Sequence, residues 1–372
     1  MKSLYPIKQS EKLKMKNRFL LLRHIGLWLL ALLFSPRYAG AETITIGKGS
    51  GVQWEGLPFN VTLEGPLESE NYQGGDPIAG LSSLPERCTT GFFDSIRLAP
   101  GVKLTLRATI NGYFTRYDNS RATFSGTVGL PSTDVRMDNG MDMRANDSSL
   151  CFESEKSGFI SKYYSPTGPR AVNFSGTWII VTDGSQQPTY NVTVPSYYAI
   201  SNSYTNSGKR NALISPSRLS LRISTLECTV QTQAQINFGP LANDPTVGAE
   251  LGRLTYPLNV NCSQASDRIK ANINVQLRAL SGHYQGAPTK LALQEGGGYI
   301  TGEIDNGVTG SGSCTATSGV PFNNTAIKIS TIASSQSSMA TTNQITWRLC
   351  SGGPSLPMGN VNAAAEMLVT FN

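Results

Sequence analysis

The sequence predicts an all-β chain of β-sandwiches, and three observations carry the prediction. Short runs of alternating apolar and polar residues recur between clusters of Gly, Pro, Ser and Asn, which is how strands joined by turns are written. The composition agrees: the chain holds 37 Gly and 20 Pro, and only 15% of its residues are charged. Beyond the first 41 residues no long run keeps helical spacing. At 372 residues the chain suits two domains better than one. Its alternating runs carry enough Val, Ile, Leu and aromatic residues to build cores, which argues against disorder.

Residues 1–41 read as a leader. Lys12, Lys14, Lys16, Arg18 and Arg23 precede an apolar run from Ile25 to Phe34, and Ala39-Gly40-Ala41 supplies small residues for cleavage. The basic stretch is long for a signal peptide, and Met15 offers an alternative start. The apolar run is too short to span a bilayer comfortably. The leader also owns the basic charge: it carries eight Lys or Arg against Glu11, a net of +7, while the whole chain is +6. The expected mature chain, from Glu42, is therefore about −1, which gives no electrostatic footprint for nucleic acid.

Along that mature chain the first runs are Thr43–Ile46 and Val52–Leu63, the second interrupted by Gly56 and Pro58. Residues 65–85 have a loop composition. Val102, Leu104, Leu106, Ala108 and Ile110 alternate cleanly, and Ala122–Leu130 follows as a further strand. Residues 131–149 are polar. Phe159–Tyr164, Val172–Val181 and Tyr190–Tyr198 read as strands, residues 201–211 as a flexible polar segment, and Leu219, Leu221 and Ile223 as a closing strand. The expected division is 42–222 and 225–372, with the boundary inside 201–226. In the second half Val230–Phe238, Leu254–Cys262 and Ile269–Leu277 alternate, followed by Lys290–Leu293, Ala326–Ile332, Ile345–Cys350 and the terminal stretch.

All six cysteines, Cys88, Cys151, Cys228, Cys262, Cys314 and Cys350, lie after the leader. An even count behind an export signal implies disulfides made in an oxidising compartment. Fifteen pairings remain formally open; the simplest is sequential, Cys88–Cys151, Cys228–Cys262 and Cys314–Cys350. No Cys-x-x-Cys spacing suggests zinc or redox chemistry, and no cofactor is expected.

The final stretch, Gly359 to Asn372, is the most informative. Val361, Ala363, Ala365, Met367, Val369 and Phe371 share one parity, with Asn360, Asn362, Glu366 and Thr370 on the other. On pattern alone this is a strand with one buried face. A glycine fourteenth from the end and a penultimate aromatic resemble the C-terminal signature of chaperone–usher pilus subunits, in which the aromatic is usually tyrosine rather than phenylalanine. The Cys228–Cys262 spacing across the first two runs of the second half resembles a pilin domain as well, whereas Cys314 and Cys350 have no counterpart there. About 180 residues of separate β-structure stand where a shaft subunit has a short donated extension. The whole mature chain thus resembles a two-domain tip adhesin.

That resemblance implies two immunoglobulin-like sandwiches, the second an incomplete pilin fold that needs a donor strand. It implies a groove beside Gly359, Val361, Ala363, Ala365, Met367, Val369 and Phe371, filled first by a periplasmic chaperone and then by the next subunit's N-terminal extension. An outer-membrane usher, passage through the periplasm to the fimbrial tip, and a host glycan or other receptor for residues 42–222 are implied too. A non-lectin tip or assembly-initiating subunit and a secreted glycan hydrolase are the alternatives.

Leu57-Pro58-Phe59, Val128-Gly129-Leu130 and the spacing of Cys88 and Cys151 look faintly similar to N-acetylglucosamine-binding fimbrial lectins, which use an aspartate and an aromatic beside the second cysteine. Asp134 or Asp138 stands for that aspartate, but Leu150 replaces the expected tryptophan. The candidate glycan residues are Asp134, Asp138, Asp142, Asn146, Asp147 and Phe152: carboxylates and amides pair with sugar hydroxyls, and a ring covers their C–H face. The same Asp/Asn cluster also reads as a solvated turn region, and its spacing fits no EF-hand calcium loop. Tyr113, Tyr117 and Asp118 form a second polar-aromatic group that also reads as a strand end, while Trp54 and Trp178 read as core anchors. Catalysis has little material: His283 is the sole histidine after the leader, and no Gly-x-Ser-x-Gly elbow is present. The expectation is a binding protein and not an enzyme.

Overall fold

The computed structural model describes residues 42–66, 77–85, 95–143, 150–153, 163–201, 210–215 and 219–372. In chain order the strands are β1 (Glu42–Ile46), β2 (Ser50–Glu64), β3 (Pro77–Ser82), β4 (Ile96–Ala99), β5 (Val102–Thr115), β6 (Arg121–Gly129), β7 (Asp134–Met137), β8 (Cys151–Glu153), β9 (Ala171–Asp183), β10 (Thr189–Val194), β11 (Tyr198–Ser201), β12 (Arg210–Leu213) and β13 (Leu219–Ile223). Then come β14 (Glu227–Gln231), β15 (Glu250–Ser263), β16 (Ala271–Ala279), β17 (Leu291–Ala292), β18 (Gly298–Ile304), β19 (Ile327–Ile332), β20 (Ser338–Ser351) and β21 (Ala365–Phe371). One 3-10 turn, Tyr284–Gly286, is the only helical element among the described residues. No helix there is long and apolar enough to cross a membrane.

The strands form four sheets, ordered β10-β13-β1-β21-β16-β19, β12-β11-β3-β8, β14-β15-β20-β18-β17 and β2-β9-β5-β6-β7, with β4 also on β5. Two large buried clusters lie between them. One draws on Ile44 to Ile223, with Trp178, Phe114 and Phe174 among its largest members. The other draws on Leu226 to Phe371 and is centred on Ile273, Val275, Ile345 and Phe322. The first sheet joins them, since β1 pairs with β21 through Thr45 and Phe371. Around β16 both faces are buried: Ile273, Val275 and Leu277 point into the second cluster, while Asn274 and Gln276 on the opposite face are buried too.

Several strands depart from the sequence expectation, each for a physical reason. Strand β2 runs through Gly56-Leu57-Pro58 because a register shift between Gly56 and Phe59 absorbs the interruption, with Leu57 at φ 50°. Residues 77–82 are strand β3 and not loop; all six are buried, so no alternation marked them. Strand β18 was hidden by its glycines. At Gly302, which faces Trp347 on β20, a Cβ would lie 2.6 Å from the indole, so only glycine admits the ring. Conversely the alternating run 230–238 is strand only to Gln231; Ile236 and Phe238 pack half-buried against the second cluster without joining a sheet. Of Phe159–Tyr164, residues 159–162 lie outside the described residues, and Tyr164 makes an isolated bridge to Arg116.

Cys228 bonds Cys262 across the directly paired β14 and β15, and Cys314 bonds Cys350. The second bond sits in a small cluster with Tyr299, whose hydroxyl donates to the Cys314 carbonyl at 2.7 Å and whose ring stacks on Tyr284. Burial pushes the Tyr299 phenol above its ordinary pKa. Cys151 is disulfide-bonded; Cys88 lies outside the described residues.

Candidate functional site

Two places combine exposure with organised chemistry. The first is the edge of β21. On one side β21 pairs with β16 in unbroken register from Ile273↔Phe371 to Ala279↔Ala365. On its other side the sole partner among the described residues is Thr45, opposite Phe371. The backbone groups of Ala365, Met367 and Val369, which point away from β16, therefore have no strand partner among the described residues. Met367 and Val369 are half-buried against the second cluster, and Phe371 at the closed end is 6% exposed. The opposing sheet ends in β14, whose Val230 is half-buried against the same cluster. Both edges converge at Gly47, where a Cβ would meet the Leu226 carbonyl and, at 3.0 Å, the Phe371 ring.

The seven residues expected to line a groove beside the last strand divide accordingly. Met367, Val369 and Phe371 share the inward face of β21, and Ala363 packs against the cluster just before it. Ala365 opens the strand but is exposed, Val361 is half-buried outside it, and Gly359 is an exposed turn residue at φ 113°. The strand is thus shorter than the alternation suggested.

The second place is a shallow pocket of about 390 Å³ on the outward face of β5, β6 and β7. Register sets its floor: Asn111 lies opposite Ser125, and Ser125 opposite Arg136, while Tyr113 lies opposite Thr123. The Arg121 guanidinium covers the Tyr113 ring at 3.7 Å from its centroid. Asp138 completes the rim, accepting from the Thr123 N–H at 3.0 Å and standing 3.8 Å from Arg116. Asp134 accepts from Arg136 Nε at 2.8 Å, and Asp142 bridges the Arg136 backbone. Asn146 and Asp147 lie outside the described residues. Phe152 corrects the expectation: it is fully buried on β8, beside Ala79, and offers no ring face to a ligand. Tyr113 belongs to this pocket, whereas Trp178 is a core anchor donating to the Ile214 carbonyl at 2.9 Å. Arg121 was missed because a lone arginine opening a strand carries no sequence signal.

Between the two clusters lies a polar network. Glu55 on β2 accepts from Thr177 at 2.7 Å and Asn324 at 3.1 Å, and Arg107 on β5 reaches it at 3.8 Å. Arg107 also donates to Glu366 on β21 at 3.0 Å, where Arg278 adds a second contact at 2.5 Å. Burial raises the Glu55 pKa, against the opposing pull of Thr177 and Arg278. Ser120 holds Asp118 below the ordinary carboxylate value through hydrogen bonds. His283 has a ring nitrogen 3.2 Å from the Phe322 carbonyl oxygen. Among the described residues no three His, Cys, Asp or Glu side chains are placed to hold a metal ion.

No protein-family model matches the chain, and no curated protein does. Among solved structures, the CupB6 tip adhesin from Pseudomonas aeruginosa is similar at 13% identity and a TM-score of 0.29, over 87% of each chain. A chaperone–tip adhesin complex of CFA/I fimbriae biogenesis is similar at 11% identity and a TM-score of 0.23, over 88% of this chain and 94% of that one. The CFA/I adhesin CfaE of enterotoxigenic E. coli gives 9% identity and a TM-score of 0.19, over 91% and 98%. Scores this low leave function to be read from the chain's own geometry.

Proposed function

We propose that this protein is a fimbrial tip adhesin: residues 42–222 bind a host-surface receptor, a glycan, and residues 225–372 form a pilin domain that joins the fimbria by accepting a strand. The observation that carries the reading is the open edge of β21 with Met367 and Val369 half-buried beneath it. An added strand would satisfy the outward backbone groups of Ala365, Met367 and Val369 and cover the Met367 and Val369 side chains. Full burial is worth about 1.5–3 kcal/mol per large apolar side chain, a sizeable share of a stability of roughly 5–15 kcal/mol. A periplasmic chaperone occupies the edge first and the next subunit's N-terminal extension replaces it, with the usher as the assembly platform. The network at Glu55 and Glu366 ties the receptor half to the strand that accepts the donor.

Co-expression tests the reading. The full chain should be recovered from the periplasm as a stable complex with its cognate chaperone and be degraded or aggregated without it. Recovery of a stable, soluble monomer with no added strand would remove the assembly half of the proposal. Fimbriated cells lacking the chain should fail to adhere to receptor-bearing host cells; unchanged adhesion would remove the receptor half.

A further inference from the structure

We infer that the pocket on β5, β6 and β7 is a subsite for an anionic sugar, with Arg121 as the group that takes the anion. This rests on the reading of the first half as receptor-binding and names the chemistry of the receptor.

The argument starts from which charges are already committed. Asp134 is held by Arg136 at 2.8 Å, Asp138 by the Thr123 amide at 3.0 Å with Arg116 beyond, and Asp118 by the Ser120 amide at 2.9 Å. Arg136 in turn spends Nε on Asp134 and one terminal nitrogen on the Gly140 carbonyl at 3.4 Å. The Arg121 side chain is different. Among the described residues it makes no hydrogen bond and no ion pair; its contact is the Tyr113 ring beneath it. An exposed arginine usually loses conformational freedom when it takes a ligand. Here the guanidinium already rests against the ring, its Cζ 3.7 Å from the ring centroid, and its N–H groups make no hydrogen bond among the described residues. A planar fork held in that way matches the two oxygens of a carboxylate or sulfate.

The floor supplies the rest of a sugar site. Asn111, Ser125 and Thr123 lie in adjacent register positions on the outward face and line the same pocket. Amide and hydroxyl groups at that spacing suit the ring hydroxyls of a saccharide, and a cavity of about 390 Å³ admits one or two residues of an oligosaccharide. A shallow site of this kind binds weakly one copy at a time, and many tips on one cell supply avidity.

The test uses the full exported chain, held as its complex with the chaperone, against immobilised probes. Sialyllactose and a hyaluronan tetrasaccharide carry carboxylates, 3′-sulfated lactose carries a sulfate ester, and lactose and mannotetraose are uncharged. Binding to at least one anionic probe is expected, weakened tenfold or more by Arg121→Gln, only partly restored by Arg121→Lys, and lost on carboxyl reduction if the anion is a carboxylate. The carboxylate and sulfate arms tell the two sources apart. Binding confined to uncharged probes, or anionic binding untouched by Arg121→Gln, overturns the subsite while leaving the receptor reading standing. Silence on every probe overturns the subsite as well. If fimbriated cells carrying the chain then also fail to adhere to host cells, the receptor reading falls with it.

Discussion

Replacing Met367 by aspartate separates a filled groove from an empty one. In the free chain Met367 is half-buried beside the open edge, so an aspartate there can turn to water, and the loss is about 1 kcal/mol of apolar contact. In the proposed complex, where a donated strand closes over the edge, the carboxylate has no such exit. It must either remain charged in an apolar groove or take up a proton. Protonating a carboxyl of ordinary pKa near 3.9 costs about 4 kcal/mol at pH 7 and about 1.5 kcal/mol at pH 5. Chaperone capture by Met367→Asp should therefore fall by about a thousandfold at pH 7 and by only about tenfold at pH 5, each relative to the unaltered chain at the same pH. Met367→Lys, which stays charged at both, should show no such recovery. The assay is quantitative pull-down by tagged chaperone of chain refolded from denaturant in its presence at each pH. Wild-type capture by Met367→Asp at pH 7 would refute the placement of this side chain under the donated strand. Equal defects at both pH values would refute the electrostatic reasoning.

Three further substitutions probe the frame. Gly302→Ala should lower the melting temperature by several degrees: the new Cβ lies 2.6 Å from the Trp347 ring, and overpacking of about 1–3 kcal/mol outweighs the roughly 0.4–1 kcal/mol gained from a stiffer unfolded chain; a rise in melting temperature would show that the indole yields freely. Glu55→Gln should flatten the dependence of stability on pH. The native Glu55 binds its proton more tightly than the unfolded one, whose ordinary value is 4.5, so the unaltered chain loses stability as pH rises from there through the raised native pKa. Chemical denaturation at a series of pH values above 4.5 should show that slope in the unaltered chain only, and matching slopes would contradict the assignment. Cys228→Ser with Cys262→Ser should cost about 4 kcal/mol, from releasing a loop with a sequence separation of 34; urea titration showing less than about 1 kcal/mol would mean that residual structure already restrains this loop in the unfolded chain.

What could be read in advance follows from which faces are wet. Strands β5, β9, β15 and β16 announced themselves because at least part of each carries alternating inward and outward residues. Strand β3 was silent, since burial of all six residues removes the period. Strand β18 was silent because the residue its partner demands opposite Trp347 is the one that sequence reading assigns to turns. The run 232–238 erred the other way. Alternation predicts which side chains seek a core, and Ile236 and Phe238 did find one, but hydrogen-bonded pairing needs a neighbouring edge that pattern alone does not supply.

The two candidate sites differ for the same reason. The β21 edge is made by one continuous stretch, so its parity is visible in the sequence, although its length is not: residues 359–364 approach the sheet without entering it. The pocket is made by residues from three strands, Asn111 and Tyr113, then Arg121 to Ser125, then Arg136 to Asp138, brought together by register. The acidic cluster in the sequence points to Asp134 and Asp138, and the pocket does include Asp138. Yet the carboxylates there are already engaged, and among the described residues the uncommitted group is a cation on the neighbouring strand. Reading charge from composition alone therefore inverts the site. The local sequence is acidic, but the group proposed to take the ligand is positive, and only the pairing of β5 with β6 places Arg121 over Tyr113.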